Sequence, residues 1–163
     1  MVRFATEELG LPNIKADVLT ENTYSENYFD VITVWDVLEH VPDPGEILVQ
    51  AFRTLKPGGW IFGYTENVDS FNVFLTDRNS EIFMPDVHLR HYSPETFKKE
   101  FEKAGFVVRE VMTKGLDVQH IKITLDLNPG KFPEKELQYL LDHSEEWQNV
   151  MNACDKGDNL RLF

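Results

Sequence analysis

Asp36, Glu39 and His40 bring two carboxylates and an imidazole into one five-residue window. Carboxylate oxygens joined by one imidazole nitrogen suit a divalent cation such as magnesium. The same residues also work without a metal: His40 can line a site or act as a general base, and Glu39 with His40 can simply structure a loop. A second pair, His88 and His91, follows a stretch carrying Phe71, Phe74 and Phe83, and precedes a helix start at Ser93-Pro94. Imidazole titrates near neutral pH, so either ring can move a proton, although a loop-stabilising hydrogen bond is the commoner fate of such a histidine. Asp17 and Val18 close a short extended run from Ile14, and Val34 and Trp35 close the strongest strand of the chain.

The elements that must position these residues are legible in outline. Val2 to Leu9 has helical composition and Gly10 can end it in a left-handed conformation. Phe29 to Trp35 is rich in β-branched and aromatic residues, and its apolar run suits a strand covered on both faces of a parallel sheet. Asp43 caps a helix with Pro44 at its first position and Glu46 in a capping-box-like place; Ile47, Leu48, Ala51, Phe52 and Leu55 recur on one face. Pro57-Gly58-Gly59 ends that helix and Trp60 to Tyr64 reads as the next strand, which completes a parallel crossover unit. Thr65 to Tyr92 is too long for a structureless loop unless it is functional. A helix with Phe97, Phe101 and Ala104 ends at Gly105. Phe106–Met112 and His120–Leu125 read as a strand pair, and Pro133–Cys154 as one amphipathic helix. The whole predicts an α/β fold with a mostly parallel sheet.

Composition excludes several classes. The 163 residues suffice for one domain, and 42% hydrophobic content supports a core. Sixteen Lys and Arg against 28 Asp and Glu leave a net charge of −12, which disfavours nucleic acid and anionic membrane surfaces as partners. A lone cysteine, Cys154, fits a reducing compartment. No signal-like or membrane-spanning run is present, so a cytoplasmic location is expected.

Three runs in order carry a family likeness: Phe29-Asp30-Val31-Ile32, then Trp35 through Pro44, then Arg53-Thr54-Leu55-Lys56-Pro57-Gly58-Gly59. With His88 through Phe97 and Ala104-Gly105-Phe106, they resemble the class I S-adenosylmethionine-dependent methyltransferases. The similarity is to the branch with the ubiquinone-biosynthesis O-methyltransferases and the type 12 group. The resemblance implies a Rossmann-like sheet of order 3-2-1-4-5-7-6, mostly parallel with strand 7 antiparallel. On that frame Ile14–Val18 is strand 3, Phe29–Trp35 strand 4, Trp60–Tyr64 strand 5, and the two later strands 6 and 7. Strands 1 and 2 have no counterpart, and no G-x-G-x-G occurs in the sequence. The chain therefore reads as a methyltransferase truncated at its N-terminus, with residues 1–127 as the C-terminal two-thirds of the domain and residues 128–163 as a helical extension.

The resemblance further implies S-adenosylmethionine as cofactor and a small-molecule acceptor. It places Asp17 and Val18 at the adenine, with Val34 and Trp35 at the cofactor end of strand 4. His40, His88 and His91 become candidates for catalysis, and Asp36, Glu39 and His40 for a divalent cation. Asp36 stands where the ubiquinone-pathway relatives have Glu, and Glu66 where the family commonly has Pro. Alternatives from other classes are a degenerate, non-catalytic interaction domain and one half of a split enzyme. Without strand 1, the edge of strand 4 is exposed, so self-association is expected.

Overall fold

The computed structural model describes residues 2–115, 117–131 and 133–163. Four strands form one sheet in the order β1-β2-β4-β3, with β1 Phe29–Trp35, β2 Leu55–Glu66, β3 Val111–Thr113 and β4 Asn159–Leu162. β1 pairs β2 in parallel, and β4 runs antiparallel to both of its neighbours. This is the family's strand order from strand 4 onward, with strand 7 alone reversed.

After a short helix α1, Val2–Glu7, the crossover between β1 and β2 is helix α2, Pro44–Thr54. Asp43 caps it by accepting the Glu46 amide hydrogen at 3.1 Å, which satisfies one of the free N–H groups at the helix start. α2 and α4, Pro94–Lys103, cover one face of the sheet. There Leu48, Ala51, Phe97 and Phe101 pack on Val34, Ile61, Leu160 and Leu162 in one core. Gly63 is required under α4: a Cβ at that position would lie 2.6 Å from Phe101 Cζ and 3.0 Å from Phe97 Cζ. α4 begins with a reciprocal capping box between Ser93 and Thr96 and stops at Gly105, whose φ is +102°.

The opposite face of β1 and β2 is only partly covered among the described residues. Val31, Trp35 and Trp60 are each about half exposed, at 51%, 52% and 48%. The expectation of a strand covered on both faces thus holds for one face only. No described strand adjoins the outer edge of β1.

Several elements depart from expectation. Ile14–Val18 forms no strand; it is irregular and largely exposed, because no described neighbour offers it a ladder. β2 starts at Leu55, directly after α2, and its register with β1 jumps from Phe29↔Leu55 to Val31↔Trp60. Residues 56–59 stand opposite Asp30 alone, a surplus of three, so Pro57-Gly58-Gly59 is an irregularity within the strand and not a helix terminator. The 65–92 stretch contains helix α3, Phe71–Thr76, and a 3-10 turn over Asp77–Asn79. The strand expected over Phe106–Met112 shrinks to β3.

The largest correction concerns strand 7. His120–Leu125 lies inside helix α5, Asp117–Leu127. Its buried positions Val118, Ile121 and Thr124 recur every third residue while Ile123 is exposed, a helical and not an alternating pattern. The antiparallel strand is β4 at residues 159–162, with Leu160 and Leu162 fully buried between β2 and β3. Residues after 127 are accordingly not just a helical extension, since their last segment is a central strand of the sheet. The expected single tail helix is two, α6 Glu134–Asp142 and α7 Ser144–Ala153, broken at His143. With α5 they enclose a second core of Val118, Ile121, Leu137, Leu140 and Met151, inserted between β3 and β4.

Candidate active site

The carboxyl ends of β1 and β2 lie side by side in a parallel pair, the place where open α/β sheets bind ligands. β1 ends at Trp35, whose ring stacks on Tyr64 of β2 at 5.0 Å with the planes only 2° apart. Asp36 follows in a left-handed conformation, φ +47°, with its amide donating to the Tyr64 carbonyl. That turn swings the chain off the sheet and sends the next side chains in different directions. Asp36 is exposed, whereas Glu39 is 3% exposed and its Oε2 has no hydrogen-bond partner among the described residues. The Glu39 carbonyl accepts from the Leu89 and Arg90 amides, which clamps the 87–90 loop over the site.

Two of the three candidate histidines are brought together. The His40 and His88 rings lie 4.9 Å apart. His40 Nδ1 is 2.9 Å from the Val87 carbonyl, and His88 Nδ1 is 2.8 Å from the Ile82 carbonyl. A carbonyl oxygen only accepts, so Nδ1 carries a hydrogen in each ring; in the neutral tautomer that this bond selects, Nε2 is the acceptor. His88 Nδ1 is also 3.2 Å from Glu66 Oε2. Burial pushes the Glu66 carboxyl above its usual range, with His88 opposing that shift. His91 stands further out, 6.3 Å from His88 and edge-on to Phe83. Partial burial, and then the neighbouring His88, hold its pKa below the ordinary imidazole value.

A second His–carboxylate group adjoins this one, and sequence reasoning missed it. His120 Nδ1 from α5 donates to Asp158 Oδ2 at 2.6 Å and sits 3.3 Å from Glu81 Oε1. Asn72 of α3 donates to the same Asp158 oxygen. The hydrogen bond to Asp158 raises the His120 pKa against the effect of burial. Nothing in the sequence pairs residues this far apart, and reading residues 120–125 as a strand hid the helical face that carries His120.

The remaining candidates scatter. Val34 is buried in the sheet core and is a packing residue. Asp17 turns its carboxylate onto the Val18 amide at 2.8 Å, and both residues are exposed. The divalent-cation expectation does not survive: Asp36, Glu39 and His40 form no three-ligand group, and no such group exists among the described residues. The physical reason is the left-handed turn at Asp36, which separates an outward carboxylate from an inward one, while His40 Nδ1 is committed to Val87.

Residues 5–111 match a family described as a methyltransferase domain. The chain belongs to that family. It is 39% identical over 56 residues to a ubiquinone biosynthesis O-methyltransferase of Thiobacillus denitrificans, covering 34% of this chain and 24% of the relative. It is 30% identical over 106 residues to the Escherichia coli protein of the same name, covering 63% of this chain and 44% of the relative. The chain thus spans less than half of the length of these relatives. In fold it is similar to an S-adenosylmethionine-dependent methyltransferase from Mesorhizobium loti, with TM-score 0.55 and 16% identity, over 98% of this chain and 73% of that one. Family and fold together make it a member of the class I S-adenosylmethionine-dependent methyltransferases. No helix among the described residues is long and apolar enough to cross a membrane.

Proposed function

We propose that this protein transfers a methyl group from S-adenosylmethionine to a hydroxyl of a small molecule, and that this chain forms the acceptor side of the site. The observation that carries the reading is the His40–His88 pair at the carboxyl ends of β1 and β2, each ring with Nδ1 on a backbone carbonyl and Nε2 without a hydrogen-bond partner among the described residues. The relatives named as O-methyltransferases support an oxygen acceptor. S-adenosylmethionine, when bound, supplies the electrophilic methyl group. His88 is held by Ile82 and Glu66 and takes the acceptor's proton at Nε2; the clamped 87–90 loop excludes water. Trp35, stacked on Tyr64 and half exposed, is the wall against which the cofactor's adenine rests. Asp17 and Val18 can serve the adenine only if the segment carrying them orders around it. With no G-x-G-x-G in the sequence, residues 1–163 alone bind the cofactor weakly; the methionine end is held by residues outside this sequence or on a second polypeptide.

The test is methyl transfer from S-adenosylmethionine to phenolic acceptors by the protein as its own locus encodes it. His88→Gln should lower kcat by roughly 100-fold or more with cofactor affinity unchanged. An unaltered kcat overturns the assignment. The partly covered face of β1 and β2 favours a second reading, a methyltransferase-fold module that docks a partner; a protein that binds the cofactor at no measurable concentration in any natural form would decide for it.

A further inference from the structure

On the outer side of the sheet-covering helix α4, a cavity of about 310 Å³ opens between α4 and the segment Arg90–Tyr92. That volume is at the small end of ligand pockets. Its walls carry Arg90, His91, Tyr92, Thr96, Lys99, Glu100 and Lys103. In a chain of net charge −12, three cations on one small cavity are a marked local reversal of sign. Some of that charge is already used. Lys99 is paired with Glu95, and Lys103 is 3.8 Å from Glu100. Arg90 donates one Nη to the Pro42 carbonyl, which fixes its guanidinium at the rim without neutralising it.

The buried part of the wall is Tyr92, 4% exposed, whose hydroxyl has no hydrogen-bond partner among the described residues. A buried hydroxyl left unmatched is costly and calls for a reason. The hydroxyl lies in the field of Glu100 and Arg90, both wall residues, and burial drives its pKa far upward, so it remains a donor at any physiological pH. An O–H donor on a wall that also carries Arg90, Lys99 and Lys103 suits an oxyanion, with Glu100 as the one opposing charge on that wall.

We propose that this cavity binds the anionic group, carboxylate or phosphate monoester, of a small organic molecule, with Tyr92 donating to the anion and Arg90 and Lys103 supplying charge. The cavity shares the Arg90–His91 segment with the proposed methyl-transfer site, but anion binding there needs none of the methyl-transfer residues His40, His88 or Trp35. The test is calorimetric titration of residues 1–163 with benzoate and with phenyl phosphate at low ionic strength. Binding of either probe is expected, weakened about tenfold in Tyr92→Phe and reduced by added salt. Preference for phenyl phosphate identifies a phosphate ligand, and preference for benzoate a carboxylate. Because Tyr92→Phe deletes only an unpartnered hydroxyl, its thermal stability should equal or exceed that of the parent, which separates lost binding from lost folding. Lys103→Gln, an exposed substitution, should also weaken binding. Failure of both probes to bind at millimolar concentration, or binding that Tyr92→Phe leaves unchanged, overturns the proposal.

Discussion

Replacing Asp158 by Ala tests whether the helical insertion is fastened to the sheet by a buried polar latch. Asp158 is 1% exposed and immediately precedes β4. Its Oδ2 accepts from His120 of α5 at 2.6 Å and from Asn72 of α3 at 3.2 Å, so one carboxylate ties two helices to the strand's start. Each hydrogen bond to a charged group is worth about 1.5–3 kcal/mol, which makes the gross loss about 3–6 kcal/mol. Against this stands relief of the carboxylate's desolvation, with Oδ1 unpartnered, on the order of 1–3 kcal/mol. The net expectation is a loss of about 2–3 kcal/mol in urea denaturation near pH 6. The pH dependence has a definite sign. The folded-state pKa of His120 is raised, so its contribution is fully present below the unfolded value of about 6.5 and fades as pH rises through the higher folded value. The gap between parent and Asp158→Ala should therefore narrow between pH 6 and pH 9. A double-mutant cycle with His120→Gln should give a coupling of at least about 1 kcal/mol at pH 6 and less at pH 9. A loss below about 1 kcal/mol, or one that does not vary with pH, would refute the latch.

Other expectations rest on independent features. Gly63→Ala forces a methyl group to within 2.6 Å of Phe101 and should cost about 1–3 kcal/mol, read as a lower urea midpoint; an unchanged midpoint would mean that α4 can shift freely. Residues 1–163 should self-associate in sedimentation experiments through the bare edge and aromatic face of β1. Val31→Lys, at a 51% exposed position on that strand, should shift the population toward monomer, and a parent that is monomeric at all concentrations contradicts the open-edge argument. Titration of residues 1–163 with S-adenosylmethionine should show no micromolar binding; such binding would show that the residues present hold the cofactor without a glycine-rich loop.

What the sequence determined by itself is local and contiguous. β1 is where its β-branched and aromatic run lies, because such side chains fit a half-buried pleated surface. α2 and α4 start where Asp43 and Ser93 can cap them, because helix N-terminal amides need acceptors from adjacent residues. The His40 and His88 candidates were visible as residue types, but their meeting at 4.9 Å required the Glu39 carbonyl to hold the 87–90 loop.

Tertiary structure alone decided the rest. Val118 to Leu125 carries β-branched residues and still forms a helix, because its buried face packs on α6 and α7. Asn159–Leu162 is too short to announce itself, and becomes a central strand only because β2 and β3 supply ladders on both sides. Ile14–Val18 has suitable residues for a strand and no described partner, so it makes none. Asp36, Glu39 and His40 are neighbours in sequence and diverge in space, because one residue at φ +47° redirects the chain. Spacing along a chain prescribes a shared site only where the backbone is regular, and the carboxyl end of β1 is where it stops being so.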